Sequence, residues 1–304
     1  MSPPTVVGLG QATVAMVGIV PRLPEGDAAF ELSEVSVQAG GSTAIACATA
    51  AALGCRARLA TKIADDFLGP FILGALREAG LQVHAVRDGG ARLSPFSFTT
   101  VASESHRRTT LWTAGDAGAL TPTEIDLVQL CAGAGAVLVD GYYPAAQVAL
   151  AEVARRHDIP VVLGGAEMRE GLGELVGVAD VLVCSERLAA DLAPRGETRD
   201  SLAELQRMGP RAVIITLGDQ GAIGLYEDEI VEQRGFPVDV ADETGAGDVF
   251  VGAFAAALLH SLPFPRCLEL ATAASALSCR RVGAWAGIPD QDEVLAAVRA
   301  VQPA

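Results

Sequence analysis

Asp248 closes the glycine turn of Asp242-Glu243-Thr244-Gly245-Ala246-Gly247-Asp248-Val249-Phe250-Val251-Gly252-Ala253-Phe254, just where an apolar helical pattern begins. Glycines at such a junction let backbone N–H groups converge, and a helix N-terminus adds partial positive charge, so the turn suits an anion. The same field would hold an acid in the first turn ionised, ready to take a proton from a hydroxyl. Phosphoryl transfer needs both parts: charge stabilisation for the moving group and a base on the acceptor. The plain alternative is a glycine turn whose Asp caps a helix. On spacing alone both readings stay open.

The elements that must hold this turn follow from the surrounding pattern. Short β-branched runs at Val6–Leu9, Arg58–Thr61, Ala136–Asp140, Pro160–Leu163, Val181–Cys184 and Ala212–Leu217 alternate with Ala/Leu-rich segments of helical period. Those segments are Thr43–Leu53, Pro70–Ala79, Ala145–Arg156, Leu188–Leu192, Leu202–Met208, Gly247–Leu259 and Arg266–Ser278. This alternation predicts an α/β fold with a mostly parallel central sheet flanked by helices. Two stretches, about 13–37 and 83–113, read instead as hairpin strands (Val17–Val20, Ala29–Val37, Phe96–Val101 and Thr109–Thr113) and predict a small separate sheet. With no internal repeat or low-complexity linker, residues 1–304 are expected to form one domain.

Bulk composition narrows the function classes. The 304 residues are 50% hydrophobic but only 5% aromatic, which excludes a disordered chain and predicts packing on Ala, Val and Leu. No apolar run approaches the roughly 18 residues of a spanning helix, and the N-terminus lacks the basic start of a secretory signal. Six scattered cysteines without a CxxC pair read as reduced thiols, so a cytoplasmic location is expected. A formal charge of -15 argues against nucleic acid as a partner. Lys62 is the single lysine, so an anionic ligand would need well-placed arginines and backbone N–H groups. None of the four histidines has metal-ligand spacing with another or with a cysteine. A dinucleotide-binding reading fails at Gly8-Leu9-Gly10-Gln11-Ala12-Thr13, which lacks the third glycine and the following helix.

Thr244-Gly245-Ala246-Gly247-Asp248, with Asp242 two residues upstream of Thr244, resembles the C-terminal motif of the ribokinase, or PfkB, family of carbohydrate kinases. Three distant segments carry the same resemblance in order: Gly40-Gly41-Ser42-Thr43-Ala44 through Gly69, Val213–Ala222, and Ala276–Asp290. The last is closest to the ketohexokinase and sulfofructose kinase branch. The resemblance implies a three-layer ribokinase-like fold whose small β-sheet forms a lid. It makes Asp248 the general base, with the backbone of Gly245, Ala246 and Gly247 as anion hole. Ser185, Thr216, Gly218, Gly221, Thr244 and Cys279 would border ATP, and Gly40, Gly41, Ile45 and Arg108 the acceptor and the transferring phosphate. Mg²⁺ would arrive with ATP, and Asp242 and Thr244 mark the place of a monovalent cation such as K⁺, with turn hydrogen bonding as the alternative. A homodimer through the lid is implied as well.

The acceptor side departs from the family pattern. Ile45 stands where an Asn usually touches the sugar, and Gly10–Met16 lacks the usual acid after the first strand. Ser185-Glu186-Arg187-Leu188 replaces an Asn-x-x-Glu motif, and Gly164–Arg169 lacks the usual Asp and Asn, with Glu167 or Arg169 as substitutes. His106-Arg107-Arg108 and Tyr142-Tyr143 flank the expected site; a solvated turn for Arg107 and ordinary packing for the tyrosines are the favoured readings. Asp65 and Asp66 are expected to hold a loop. The expectation is ATP-dependent phosphorylation of a hydroxyl on a small sugar-like molecule, a ketose favoured. A nucleoside kinase of the same family and a catalytically weak ligand-binding homologue are the alternatives.

Overall fold

The computed structural model describes residues 2–301 apart from 28, 106 and 195, so His106 lies outside the described residues. The N-terminal half runs β1 (Thr5–Leu9), β2 (Thr13–Val20), β3 (Glu34–Gly40), α1 (Ser42–Ala52), β4 (Arg56–Ala64), α2 (Leu68–Glu78) and β5 (Gln82–Asp88). It continues with β6 (Phe96–Ala102), β7 (Arg108–Thr113), α3 (Leu127–Cys131), β8 (Ala136–Val139) and α4 (Pro144–Arg156). Then come β9 (Val161–Gly165), α5 (Leu172–Val178), β10 (Val181–Ser185), α6 (Glu186–Leu192), α7 (Thr198–Arg207) and β11 (Ala212–Thr216). The chain closes with β12 (Gly221–Tyr226), β13 (Glu229–Arg234), α8 (Ala246–Leu259), α9 (Phe264–Ser278), α10 (Ala284–Gly287) and α11 (Gln291–Val301).

Among the described residues the large sheet has the order β13-β12-β11-β10-β9-β8-β1-β4-β5. The run from β11 to β5 is parallel, and β12 and β13 add an antiparallel edge. Both faces are covered. One core joins the sheet to α1, α2, α8, α9 and α11, and the other joins it to α3 through α7. A sheet buried on both faces explains why its strands read as continuous apolar runs such as Ala-Val-Leu-Val in β8.

Small residues bring α1 and α8 close together. A Cβ at Gly252 would meet the Ala46 carbonyl oxygen, and one at Gly8 would meet the Cys47 sulfur. The Ala-rich composition of α1 permits this approach, and α8 is buried from Val249 through Ala257. The helix that carries Asp248 therefore runs through the core.

The smaller sheet, β3-β2-β6-β7, covers 13–40 and 96–113. Its alternating side chains give it two distinct faces. The paired rows containing Val17–Thr99–Thr110 and Ala15–Ser97–Trp112 line a cavity against the large domain. The row Val37–Met16–Phe98–Leu111 points the other way, where Val37 and Leu111 are 50% and 67% exposed. Two expectations need correction. Val83–Asp88 is not small-sheet material but lies in β5, parallel to β4 at the edge of the large sheet. Its mostly half-buried residues mimic a hairpin strand in sequence. The strand expected from Ala29 begins only at Glu34.

Candidate active site

Strand order reverses between β1 and β8: β4 and β5 extend the sheet on one side, and β9 to β11 on the other. Such switch points open a crevice at the carboxyl ends of the strands. Here the crevice holds Gln11 after β1, Asp140 after β8, Gly165 of β9, Ser185 of β10 and Thr216 of β11. The N-termini of α1 and α8 and the inner face of the small sheet close it into a cavity of about 550 Å³. A second cavity of about 430 Å³, lined by Gly218, Gly221, Phe236, Val238, Val240, Thr272, Ser275 and Cys279, adjoins it. Arg108, Thr216, Glu243, Ala246 and Gly247 line both.

The start of α8 stands where the cavities meet. Gly245 has φ +75°, and a Cβ there would collide with Ala284, so only glycine fits. The Ala246 N–H donates to Glu243 O at 3.3 Å, and its carbonyl accepts the Ser275 hydroxyl at 2.9 Å. Gly247 and Asp248 follow in the first turn, whose N–H groups lack intrahelical acceptors. A Cβ at Gly247 would meet nothing within 4 Å, so a ligand can approach this backbone closely.

Asp248 lines the larger cavity beside Ser42, Ile45 and Asp140. Burial pushes its carboxyl up to about 7; a hydrogen bond with Ser42 opposes the shift and the charge of Asp140 adds to it. Desolvation thus outweighs the Ser42 hydrogen bond that favours the ionised form. A carboxyl poised near neutrality suits a general base.

Asp140 is a site residue that sequence reasoning placed only at a strand end. It is 5% exposed and fully engaged. Its Oδ2 accepts the Thr43 N–H at 3.2 Å and hydroxyl at 2.7 Å, and its Oδ1 accepts from Tyr142 N at 3.0 Å and Gln147 Nε2 at 2.8 Å. Four donors hold its charge in place, joining the end of β8 to α1 and α4.

The other sequence candidates distribute as follows. Gly40, Gly41 and Ile45 line the larger cavity, and Ile45, 5% exposed, presents an apolar wall there. Gly41 has φ +100°, and a Cβ would strike the Gln11 carbonyl oxygen. Ser185 lines the same cavity while capping α6, accepting from Leu188 N at 3.1 Å. Thr244 is there too, and Arg108 Nη1 donates to its hydroxyl at 3.5 Å. Gly218, Gly221 and Cys279 lie on the smaller cavity. Arg107 is exposed. Tyr142 lines the larger cavity, whereas Tyr143 is buried in the core, so packing describes only the second. Asp66 accepts from Gly69 N, Ser94 N and the Ser94 hydroxyl at 2.7–2.8 Å, a loop tie, and Asp65 pairs with Arg87 at 3.5 Å.

Asp242 is 4% exposed, and both its oxygens are engaged. Oδ1 accepts from Thr244 N at 3.0 Å and the Thr244 hydroxyl at 2.7 Å, and Oδ2 from Gly283 N at 2.8 Å. No cluster of three or more His, Cys, Asp or Glu side chains that could hold a metal occurs among the described residues. The donors around Asp242 fit a turn tie and give the monovalent-cation reading no support. A nucleotide with Mg²⁺ fits better. The smaller cavity offers backbone at Gly218 and Gly247 with open space at each Cβ position, and Arg108 faces the junction.

No helix among the described residues is long and apolar enough to cross a membrane. The model of the pfkB family of carbohydrate kinases matches residues 4–291. The chain is 29% identical over 257 residues to ribokinase of Bacillus subtilis (strain 168), covering 84% of this chain and 86% of that one. It is 26% identical to ribokinase of Arabidopsis thaliana, covering 97% and 80%. The structure of the Arabidopsis enzyme with ribose and ATP superposes with a TM-score of 0.81 at 24% identity, covering 98% and 99%. An Escherichia coli chain solved with ATP and Mg²⁺ gives 0.84 at 19% identity, covering 99% and 100%; at these identities the two structures speak for the fold.

Proposed function

The chain belongs to the pfkB family of carbohydrate kinases and has the ribokinase-like fold, and we propose that it transfers the γ-phosphoryl group of ATP to a hydroxyl of a small sugar-like acceptor, with Asp248 as general base. The observation that carries this reading is the junction of the two cavities at the start of α8, with Asp248 on the acceptor side. ATP occupies the smaller cavity, its adenine near Cys279 and Val240 and its phosphates near Gly218 and the α8 backbone. Arg108 reaches the transferring phosphate. The acceptor hydroxyl attacks the γ-phosphorus as its proton passes to Asp248, and the bridging bond to ADP breaks. Mg²⁺ supplies charge neutralisation on the phosphates. The small sheet acts as a lid that keeps water from the phosphorus.

The relatives named above are ribokinases, which gives the ketose preference no particular support. An intact Gly245–Asp248 turn favours catalysis over a ligand-binding homologue. The test is ATP consumption with sugars, sugar acids, sugar phosphates and nucleosides, comparing wild type with Asp248→Asn. Asp248-dependent turnover of at least one acceptor is expected; none across the panel would sink the reading.

A further inference from the structure

The far wall of the larger cavity carries a cation that the phosphoryl chemistry does not use. Arg169 follows β9, and its guanidinium carbon lies 3.8 Å from the Tyr142 ring centroid and 5.9 Å from that of Trp112. Tyr142 comes from the end of β8 and Trp112 from the inner row of the small sheet, so three separate elements assemble the group. Arg169 Nη2 donates to the Tyr142 hydroxyl at 2.7 Å and stands 3.8 Å from Glu167, whose side chain is 60% exposed. Among the described residues, Nε and Nη1 have no protein acceptor. All four residues line the cavity that holds Asp248.

The charges around Arg169 point to an anionic ligand. Asp140 takes its four hydrogen bonds from Thr43, Tyr142 and Gln147, none of them from Arg169. Arg108 lines both cavities and is assigned to the transferring phosphate, so Arg169 is the cation of the acceptor end among the described residues. In a chain of charge -15, an anion would enter only if a local cation held it. A guanidinium presents a planar fork to an oxyanion, and flanking aromatic faces stiffen it and remove water. Ile45, meanwhile, offers no partner to a sugar hydroxyl.

We propose that the acceptor carries an oxyanion, a carboxylate or a phosphate, at the end opposite its reacting hydroxyl, and that Arg169 between Tyr142 and Trp112 binds it. This rests on the kinase reading and names the substrate class of the same site. The probes are gluconate and fructose 6-phosphate against their neutral counterparts glucose and fructose, with adenosine as an aromatic control. Wild type is expected to use at least one anionic probe with kcat/KM about 100-fold above its neutral counterpart. Arg169→Gln should raise KM for that probe by about 30-fold or more, a clearly larger factor than for its neutral counterpart, and leave KM for ATP within about 3-fold. Arg169→Lys should recover part of the loss, because it keeps the charge without the fork. Which probe succeeds separates carboxylate from phosphate.

Equal use of charged and neutral acceptors, a preference for adenosine, or an Arg169→Gln loss that is the same for both kinds would overturn the proposal. Calorimetric titration of the same probes, with a nonhydrolysable ATP analogue present, separates it from the kinase reading. Anion binding lost in Arg169→Gln without any turnover would leave this site standing and the kinase reading failed. Turnover of neutral sugars without detectable anion binding would do the reverse.

Discussion

One carboxylate joins Thr244 to Gly283: Asp242 accepts the Thr244 N–H and hydroxyl on Oδ1 and the Gly283 N–H on Oδ2. The turn before α8 is thereby fixed to the turn after α9. Asp242→Asn would set an amide donor against the buried Gly283 N–H. Denaturant titration should show a loss of about 1–3 kcal/mol. Because the same tie positions Gly245, kcat should fall further than KM for either substrate rises.

A carboxyl can act as a base only when ionised, and burial pushes that of Asp248 up to about 7. With saturating ATP, kcat/KM for the acceptor should therefore decline as pH drops below about 7, and Asp248→Asn should lack turnover at every pH. The stability effect has the opposite direction. A carboxyl whose folded pKa is raised favours folding below its unfolded pKa and loses that contribution as pH rises through about 7. Asp248→Asn should accordingly stabilise the protein on the order of 2 kcal/mol more at pH 8 than wild type, with little gain at pH 4. Thermal melts across that range check the sign.

Ile45 gives the larger cavity an apolar wall at the first turn of α1. Ile45→Asn should improve kcat/KM for neutral sugars by about 10-fold and cost about 1–3 kcal/mol of stability, since a 5% exposed aliphatic side chain is lost. An unchanged acceptor profile would place Ile45 outside substrate contact.

The outer row of the small sheet leaves Val37 and Leu111 largely in solvent, and Val35 beside them is 55% exposed. Apolar side chains in a row suit a second copy of the chain. Light scattering after gel filtration should give a dimer mass, and Val37→Lys with Leu111→Lys a monomer mass. A wild-type monomer at micromolar concentration would exclude this surface as a stable contact.

Gly252 lets α8 approach the backbone of α1. Gly252→Ala should destabilise by about 1–3 kcal/mol through overpacking. Activity per folded molecule should stay near that of wild type, as measured by active-site titration against the folded fraction.

Much of this architecture is legible in the residue pattern because local and tertiary preferences agree. The strand runs from Val6 to Leu217 are apolar on both faces, as a sheet covered on both sides requires, and the start of α8 is marked by a glycine that only a positive φ explains. The errors fall where a strand is only half buried: β5, at the sheet edge, has the periodicity of a hairpin strand. Helices α3, α5, α10 and α11 and the β12–β13 hairpin lie outside the predicted elements. The acceptor wall is a different kind of problem. Trp112, Tyr142 and Arg169 are separated by 30 and 27 residues (112 to 142 to 169), and only the seating of the small sheet over the strand ends of the large one brings them to one cavity. Neither spacing nor residue type signals that convergence. Asp140 is hidden similarly, since four donors from three residues, Thr43, Tyr142 and Gln147, define its role.

Because α8 is buried through most of its length, the carboxyl of Asp248 has no local freedom to go astray while the rest of the molecule stays folded. Damage along this helix should divide a population into competent and collapsed molecules, with few slow ones between. Heat inactivation would then follow the same curve as loss of tertiary structure, and a partly inactivated sample would keep the KM values of a fresh one.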